Sequence, residues 1–183
     1  AKDIGADAML ARTAALYHDI GKIRCPECYT ENQTLESKNF HDTLSPKEST
    51  KMIFSHITEG EKIAKENKLP AEIIDVIRQH HGTSAVQYFY NKAKQLDPLA
   101  NIDDFRYPGP NPQTKEAGII LLADCIEASV RSMDEKTPEA IKAQIAKMFR
   151  ARMDDGELDV CELTLRDINI LKHSFLDTLT AVY

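Results

Sequence analysis

At 183 residues the chain is long enough to bury one sizeable core, and nothing in its length forces a second domain. With 42% hydrophobic and 28% charged residues it has the composition of an ordinary globular protein, and no apolar run approaches the ~18 residues of a membrane span. A formal net charge of -6 excludes a surface built for long nucleic acid, which needs a basic face, but leaves room for a small anion held by metal and a few cations.

Residues 6–22 read as a first helix, with apolar Met9, Leu10, Ala14, Leu16, Tyr17 and Ile20 and with Gly21 near its end. Near that end His18 and Asp19 stand side by side. On a helix they point about 100° apart and can both reach one metal-sized site. Lys22 follows His18 by four residues, so its ammonium returns to the same face, where it suits a phosphate. Taken alone, a His-Asp pair is more often a helix-end histidine beside a stabilising carboxylate.

Residues 23–44 have weak periodicity and form a long loop, a feature that is usually functional in a compact domain. Cys25 and Cys28 have zinc or redox spacing, but no second pair follows. With no secretory leader in the sequence, the reading is two free thiols in a reducing compartment. Ser45-Pro46-Lys47-Glu48 opens a helix through a capping box with proline at its first position. The helix runs to about residue 67, and His56 falls on its inner face among Met52, Ile53, Ile57, Gly60, Ile63 and Ala64.

Pro70 starts a helix whose Ile73, Ile74 and Ile77 lead to His80 and His81, with Gly82 as the stop. Ser84 is expected to cap another, to about residue 96, carrying Tyr88, Phe89 and Tyr90. Residues 97–113, with Pro98, Pro108, Gly109, Pro110 and Pro112, form an irregular crossing. Thr114 caps a long apolar helix, residues 117–133, in which Asp124 should be buried and must therefore be paired, protonated or metal-bound. Thr137-Pro138-Glu139 opens a helix that ends near Asp155, and Thr164 with Asp167 opens the last, with Ile168, Leu171, Phe175, Leu179 and Val182 on one side. No segment alternates as a strand would. The expected fold is all-α, a single domain over residues 1–183 built as a bundle of about seven helices.

Polar side chains on inner faces are His18, Asp19, His56, His80, His81 and Asp124, drawn from four helices. Singly, His56 reads as a satisfied core histidine and His80-His81 as a polar helix end. Together, four histidines and two carboxylates exceed what one tetrahedral ion needs, and a two-metal site bridged by Asp19 is the economical assignment.

The ordered set His18-Asp19, His56, His80-His81 and Asp124 resembles the HD-domain metal-dependent phosphohydrolases. Further phrases narrow the resemblance: His18-Asp19-Ile20-Gly21-Lys22, Glu31-Asn32-Gln33, His41-Asp42-Thr43-Leu44-Ser45-Pro46, His80-His81-Gly82-Thr83-Ser84 with Tyr88-Phe89-Tyr90, and Phe105-Arg106-Tyr107-Pro108-Gly109-Pro110. These are similar to the cytosolic HD domain of the seven-transmembrane HD receptor family, the PgpH-type phosphodiesterases, and the similarity extends from the first residues to at least Met133.

The resemblance implies two transition-metal ions, iron or manganese, and hydrolysis of cyclic di-AMP to pApA by a metal-bridging hydroxide. His56, His80 and His81 would hold one ion, Asp19 would bridge, and His18 with Asp124 would hold the other. A further upstream histidine completes the second ion's shell in that family. Here 17 residues precede His18 and none is histidine, so the domain is expected to lack its first helix. The family also places the domain at the cytoplasmic face of a bacterial membrane, as the soluble part of a longer, membrane-anchored protein.

Lys22 is the candidate catalytic partner of Asp19, gripping a phosphate oxygen. Arg131, seven residues after Asp124, either pairs with it, approaches phosphate or forms a surface salt bridge. Thr83 and Ser84 offer backbone N–H groups to a second phosphate or an adenine edge, and Arg106 and Tyr107 offer stacking on a base. His41 and Asp42 either protonate the leaving oxygen or cap the loop. Rival functions are HD hydrolysis of another nucleotide, a cyclic-dinucleotide sensor without useful turnover, and a metal-free helical interaction domain.

Overall fold

The computed structural model describes residues 1–32 and 39–183. Gln33, part of one phrase quoted above, lies outside them. Seven α-helices follow one another: α1 (Ala8–Tyr17), α2 (Pro46–Glu66), α3 (Ala71–Gln79), α4 (Gln87–Leu96), α5 (Lys115–Arg131), α6 (Pro138–Asp154) and α7 (Leu165–Val182). Among the described residues there is no strand, only an isolated antiparallel bridge between Ala85 and Arg106. The protein is an all-α bundle, as its periodicity predicts.

The helix starts are written in the caps. Ser45 and Glu48 form the predicted capping box on α2, Thr164 and Asp167 do the same on α7, and the Thr114 and Thr137 hydroxyls accept from the Ala117 and Ala140 amides. Each such cap satisfies amides that the first turn leaves unpaired.

Four expectations need correction. α1 stops at Tyr17, so His18 and Lys22 do not share a helix; the chain breaks at Asp19 and continues as a 3-10 turn, Ile20–Arg24. Gly21 is the reason: a Cβ there would drive into the His56 carbonyl and the Gly60 amide, so the turn lies directly against the α2 backbone. α4 starts at Gln87, two residues later than a Ser84 cap would place it, because Ser84 and Val86 pair with Tyr107 and Phe105. Asp124 is only partly buried, its side chain about a quarter exposed at 26%. Val182 at the end of α7 is exposed.

Helix α5 is the spine. Its Ala117 and Ile120 pack with Ala14, Ala64, Ile73, Val76 and Ile77 from α1, α2 and α3. Its Ile119, Leu122, Ile126 and Val130 pack with Ile141, Ile145 and Phe149 of α6 and Ile168 and Leu171 of α7. Each fully buried aliphatic side chain here is worth ~1.5–3 kcal/mol, so the two layers fix the height of Asp124 on α5.

Candidate metal centre

The turn after α1, the middle of α2, the end of α3 and the middle of α5 converge on one point. Asp19 Oδ1 lies 3.5 Å from His56 Nε2 and 3.6 Å from His80 Nε2, and those two nitrogens are 3.3 Å apart. Asp19 Oδ2 faces the other way, 3.2 Å from His18 Nε2 and 2.7 Å from Lys22 Nζ. Asp124 spans the far side, Oδ1 3.8 Å from His18 Nε2 and Oδ2 3.6 Å from His81 Nδ1. Two groups with metal-ligand spacing result, Asp19 with His56, His80 and His81, and Asp19 with His18 and Asp124. Asp19 belongs to both.

The hydrogen bonds behind the rings define what faces the centre. His56 Nδ1 lies 2.5 Å from the Ile53 carbonyl, His80 Nδ1 2.9 Å from that of Ile77, and His18 Nδ1 2.9 Å from that of Ala15. A carbonyl only accepts, so each Nδ1 carries the hydrogen and a neutral ring turns its Nε2 lone pair inward. Two such lone pairs then oppose each other across His56 and His80, which are 1% and 0% exposed, beside a buried Asp19 Oδ1 that has no hydrogen-bond partner. Converging lone pairs with an orphaned carboxylate oxygen fit a cation, and the nitrogen and oxygen donors suit a first-row transition metal.

The titration behaviour follows the same geometry. Burial works against a charged His18, but its contacts with Asp124 and Asp19 outweigh this and push its pKa up to about 10. Burial likewise works against an ionised Asp19, and His18, His80 and Lys22 together hold its carboxyl far below the usual carboxylate range. Burial, reinforced by the neighbouring histidines, brings His56 down to about 4 and His81 well below its ordinary value. Burial would also lower Lys22, yet Asp19 and Glu31 keep it above an ordinary lysine and firmly charged.

The centre opens into a cleft of about 610 Å³. Lys22, Tyr107 and Arg131 line it, with Tyr107 stacked 4.2 Å from the His81 ring. Arg131 pairs with Glu127 at 2.9 Å, not with Asp124. Thr83, Ser84 and Arg106 are not among the residues that line it. The Thr83 amide donates to Glu157, the Ser84 amide to the His81 carbonyl, and Arg106 Nη1 to the Thr83 carbonyl, so both amides already have partners within the protein. His41 is buried with Nε2 2.8 Å from the Cys28 carbonyl, which ties the loop together.

The expectation of free thiols at Cys25 and Cys28 is also corrected. The 3-10 turn Pro26–Cys28 brings their Cα atoms to 5.5 Å, within disulfide reach, and the two are bonded; Cys125 and Cys161 are free. Sequence reasoning gave no role to Tyr29, Glu31 and Phe89, which line the cleft. Glu31 reaches Lys22 Nζ at 2.5 Å from the loop, where no periodicity signals a partner.

The family model of the HD domain matches residues 1–129, the stretch that contains every residue of this His-Asp centre. The chain belongs to the HD-domain family, whose members are metal-dependent. It is 41% identical over 180 residues to the cyclic-di-AMP phosphodiesterase PgpH of Bacillus subtilis (strain 168), covering 98% of this chain and 25% of that protein. It is 43% identical over 183 residues to the cyclic-di-AMP phosphodiesterase PgpH of Listeria monocytogenes serotype 1/2a (strain 10403S), covering 100% of this chain and again 25% of that protein. The chain therefore spans about a quarter of the length of these relatives. The crystal structure of the L. monocytogenes PgpH HD domain in complex with cyclic-di-AMP superposes with a TM-score of 0.95 at 43% identity, over 100% of this chain and 85% of that one.

Proposed function

We propose that the chain is a metal-dependent phosphodiesterase domain that hydrolyses cyclic di-AMP to pApA. One observation carries the reading: a single carboxylate, Asp19, is shared by two ligand groups whose His56, His81 and Asp124 line a cleft of about 610 Å³. The PgpH names of relatives above 40% identity, and the similarity to a PgpH HD domain solved in complex with cyclic-di-AMP, support this choice of substrate.

His56, His80 and His81 with Asp19 would hold one ion, and His18 and Asp124 with Asp19 the other; iron or manganese suits this mixture of imidazole and carboxylate. When bound, the ions supply Lewis acidity to the phosphoryl oxygens and a water acidic enough to attack at neutral pH. The chain's own residues do the rest. Lys22, held charged between Asp19 and Glu31, is placed to grip a non-bridging phosphate oxygen. Tyr29, Tyr88, Phe89 and Tyr107 give the cleft the aromatic walls a purine needs and exclude water from the floor. Arg131 stands at the rim, where a second phosphate would draw it from Glu127.

Residues 1–183 act as one unit in this reading, since α5 packs on both helical layers. The quarter-length match supports reading that unit as part of a longer protein, and the family resemblance supports an anchor at the cytoplasmic membrane face; among the described residues no helix is long and apolar enough to cross a membrane. The test is elemental analysis of the purified chain together with chromatography of cyclic di-AMP digests. Bound transition metal and pApA formation that His80→Ala and Asp124→Ala abolish are expected. A metal-free protein, or turnover unchanged in both variants, refutes the proposal, and intact ligand after long incubation despite tight binding points to the sensor.

A further inference from the structure

Glu157 lies beyond residues 1–129 and far in sequence from any ligand, yet it is a fully buried carboxylate, 0% exposed. Its oxygens receive two hydrogen bonds from one residue, the Thr83 amide at 2.9 Å on Oε2 and the Thr83 hydroxyl at 3.0 Å on Oε1. Thr83 sits two residues after His81. The same turn is tied to His81 from the other side, because the Ser84 hydroxyl and amide both donate to the His81 carbonyl, at 2.7 and 3.1 Å.

The carboxylate is delivered from a fixed place. α6 ends in a Schellman motif: Gly156 takes a positive φ of 72°, its amide donates to the Met153 carbonyl, and the Glu157 amide donates to that of Arg152. The end of α6 therefore pins the Glu157 backbone. Gly82 has a φ of 53°, and a Cβ there would collide with Glu157 Oε2, so the carboxylate fills the space against the turn. Asn111 adds a second tie, its amide donating to the Gly156 carbonyl at 3.2 Å. Burial pushes the Glu157 carboxyl up, while the two Thr83 bonds and nearby Arg152 favour its charged form as an acceptor.

We infer that Glu157 is a positioning residue for the metal centre, clamping the turn after His81 so that the His81 ring is held at the angle its ligand role requires. This rests on the metal reading above. Through this clamp the end of α6 reaches the site, and Arg106 holds the same Thr83 from the other loop by donating to its carbonyl. Without it, the turn keeps its bonds to Gln79 and His81 but loses its anchor to α6.

The experiment is calorimetric titration of the whole chain with Mn²⁺, without nucleotide, comparing wild type with Glu157→Gln and Thr83→Val, alongside thermal melts and the visible spectrum of the Co²⁺-loaded proteins. Gln keeps the shape but puts an amide donor against a Thr83 donor; Val deletes the hydroxyl alone. Folded Glu157→Gln should bind Mn²⁺ 10–100-fold more weakly, the usual range for losing an outer partner of a metal ligand, with an altered Co²⁺ spectrum and Thr83→Val in between. Affinity within twofold of wild type and an unchanged Co²⁺ spectrum in both variants overturn the inference, even if the melting temperature falls. Should Glu157→Gln fail to fold, Thr83→Val decides by the same criteria. A wild type that takes up no metal overturns the metal centre and this inference with it, whereas tight wild-type binding with unaffected variants overturns the inference alone.

Discussion

Removing the metal should cost the fold a measurable share of its stability. In the metal-free chain Asp19 Oδ1 is buried with no hydrogen-bond partner while the His56 and His80 Nε2 atoms face each other at 3.3 Å. An unpaired buried acceptor alone costs about 1–3 kcal/mol, and an ion that binds only the folded state removes that cost. At an ion concentration a hundred times its Kd, the linkage gain is about 2.7 kcal/mol. For a domain of 183 residues, each kcal/mol moves Tm by roughly 2–4 °C, so one ion should raise it by about 5–10 °C. The assay is circular-dichroism melting with Mn²⁺ or with chelator, for wild type and for Asp19→Asn. The comparison is internal to each protein, so any change in baseline stability cancels. Because both ligand groups share Asp19, the shift in the variant should shrink to within about 2 °C. An equal shift in both proteins, or none in wild type, would show that the ligands do not converge on an ion.

His18 should make metal uptake pH-dependent. With a metal-free pKa of about 10 it is protonated at neutral pH, so ion binding must displace about one proton and the affinity should climb by up to about tenfold per pH unit, read by calorimetry in buffers of different ionisation enthalpy. Since that pKa is raised above its unfolded value of 6.5, the His18 pairs stabilise the chelated protein fully below pH 6.5 and progressively less as pH rises through about 10. A chelated Tm that rises over this interval contradicts the assignment. Lys22→Ala should keep its metal content and lose at least about tenfold in turnover, because the side chain is a charge beside the ligands and not one of them; unchanged kinetics would remove Lys22 from the chemistry. Gly21→Ala should destabilise by about 3 kcal/mol or more, since the added methyl meets backbone of α2 that cannot swing aside, and an unchanged urea midpoint would show that the close approach is not real.

What the sequence made legible was whatever depends on local chemistry. Ser45, Thr114, Thr137 and Thr164 announce four helix starts because a hydroxyl that accepts from an amide two or three residues on needs no tertiary partner. His56 was readable as inward because the α2 stripe is strictly periodic. The errors fall where tertiary contact decides. α1 ends early because Gly21 must lie on α2, and Ser84 is claimed by His81 instead of a helix start. Glu31 and Glu157 act across loops at separations of 9 and 74 residues, distances at which no pattern of spacing carries information. The Cys25–Cys28 bond was missed for a different reason, since the expected reducing compartment argued for free thiols while the 3-10 turn supplied the approach.

The way the ligands are oriented explains why the centre needs so few dedicated residues. His18, His56 and His80 each use the same device, an Nδ1 hydrogen bond to the carbonyl three residues earlier, available within a helix or at its end without a second side chain. It fixes both the tautomer and the ring plane, the work that a separate carboxylate does in many metal sites. The device alone makes no site. His173 on α7 bonds the Asn169 carbonyl, four residues earlier, in a similar way, but it belongs to neither group with metal-ligand spacing among the described residues. The difference is Asp19, whose two oxygens are turned to opposite sides because the chain breaks there against α2. Orientation of the nitrogens is therefore a local property of three helices, while their gathering into two groups depends on one backbone break, held by the contact between Gly21 and the backbone of His56 and Gly60.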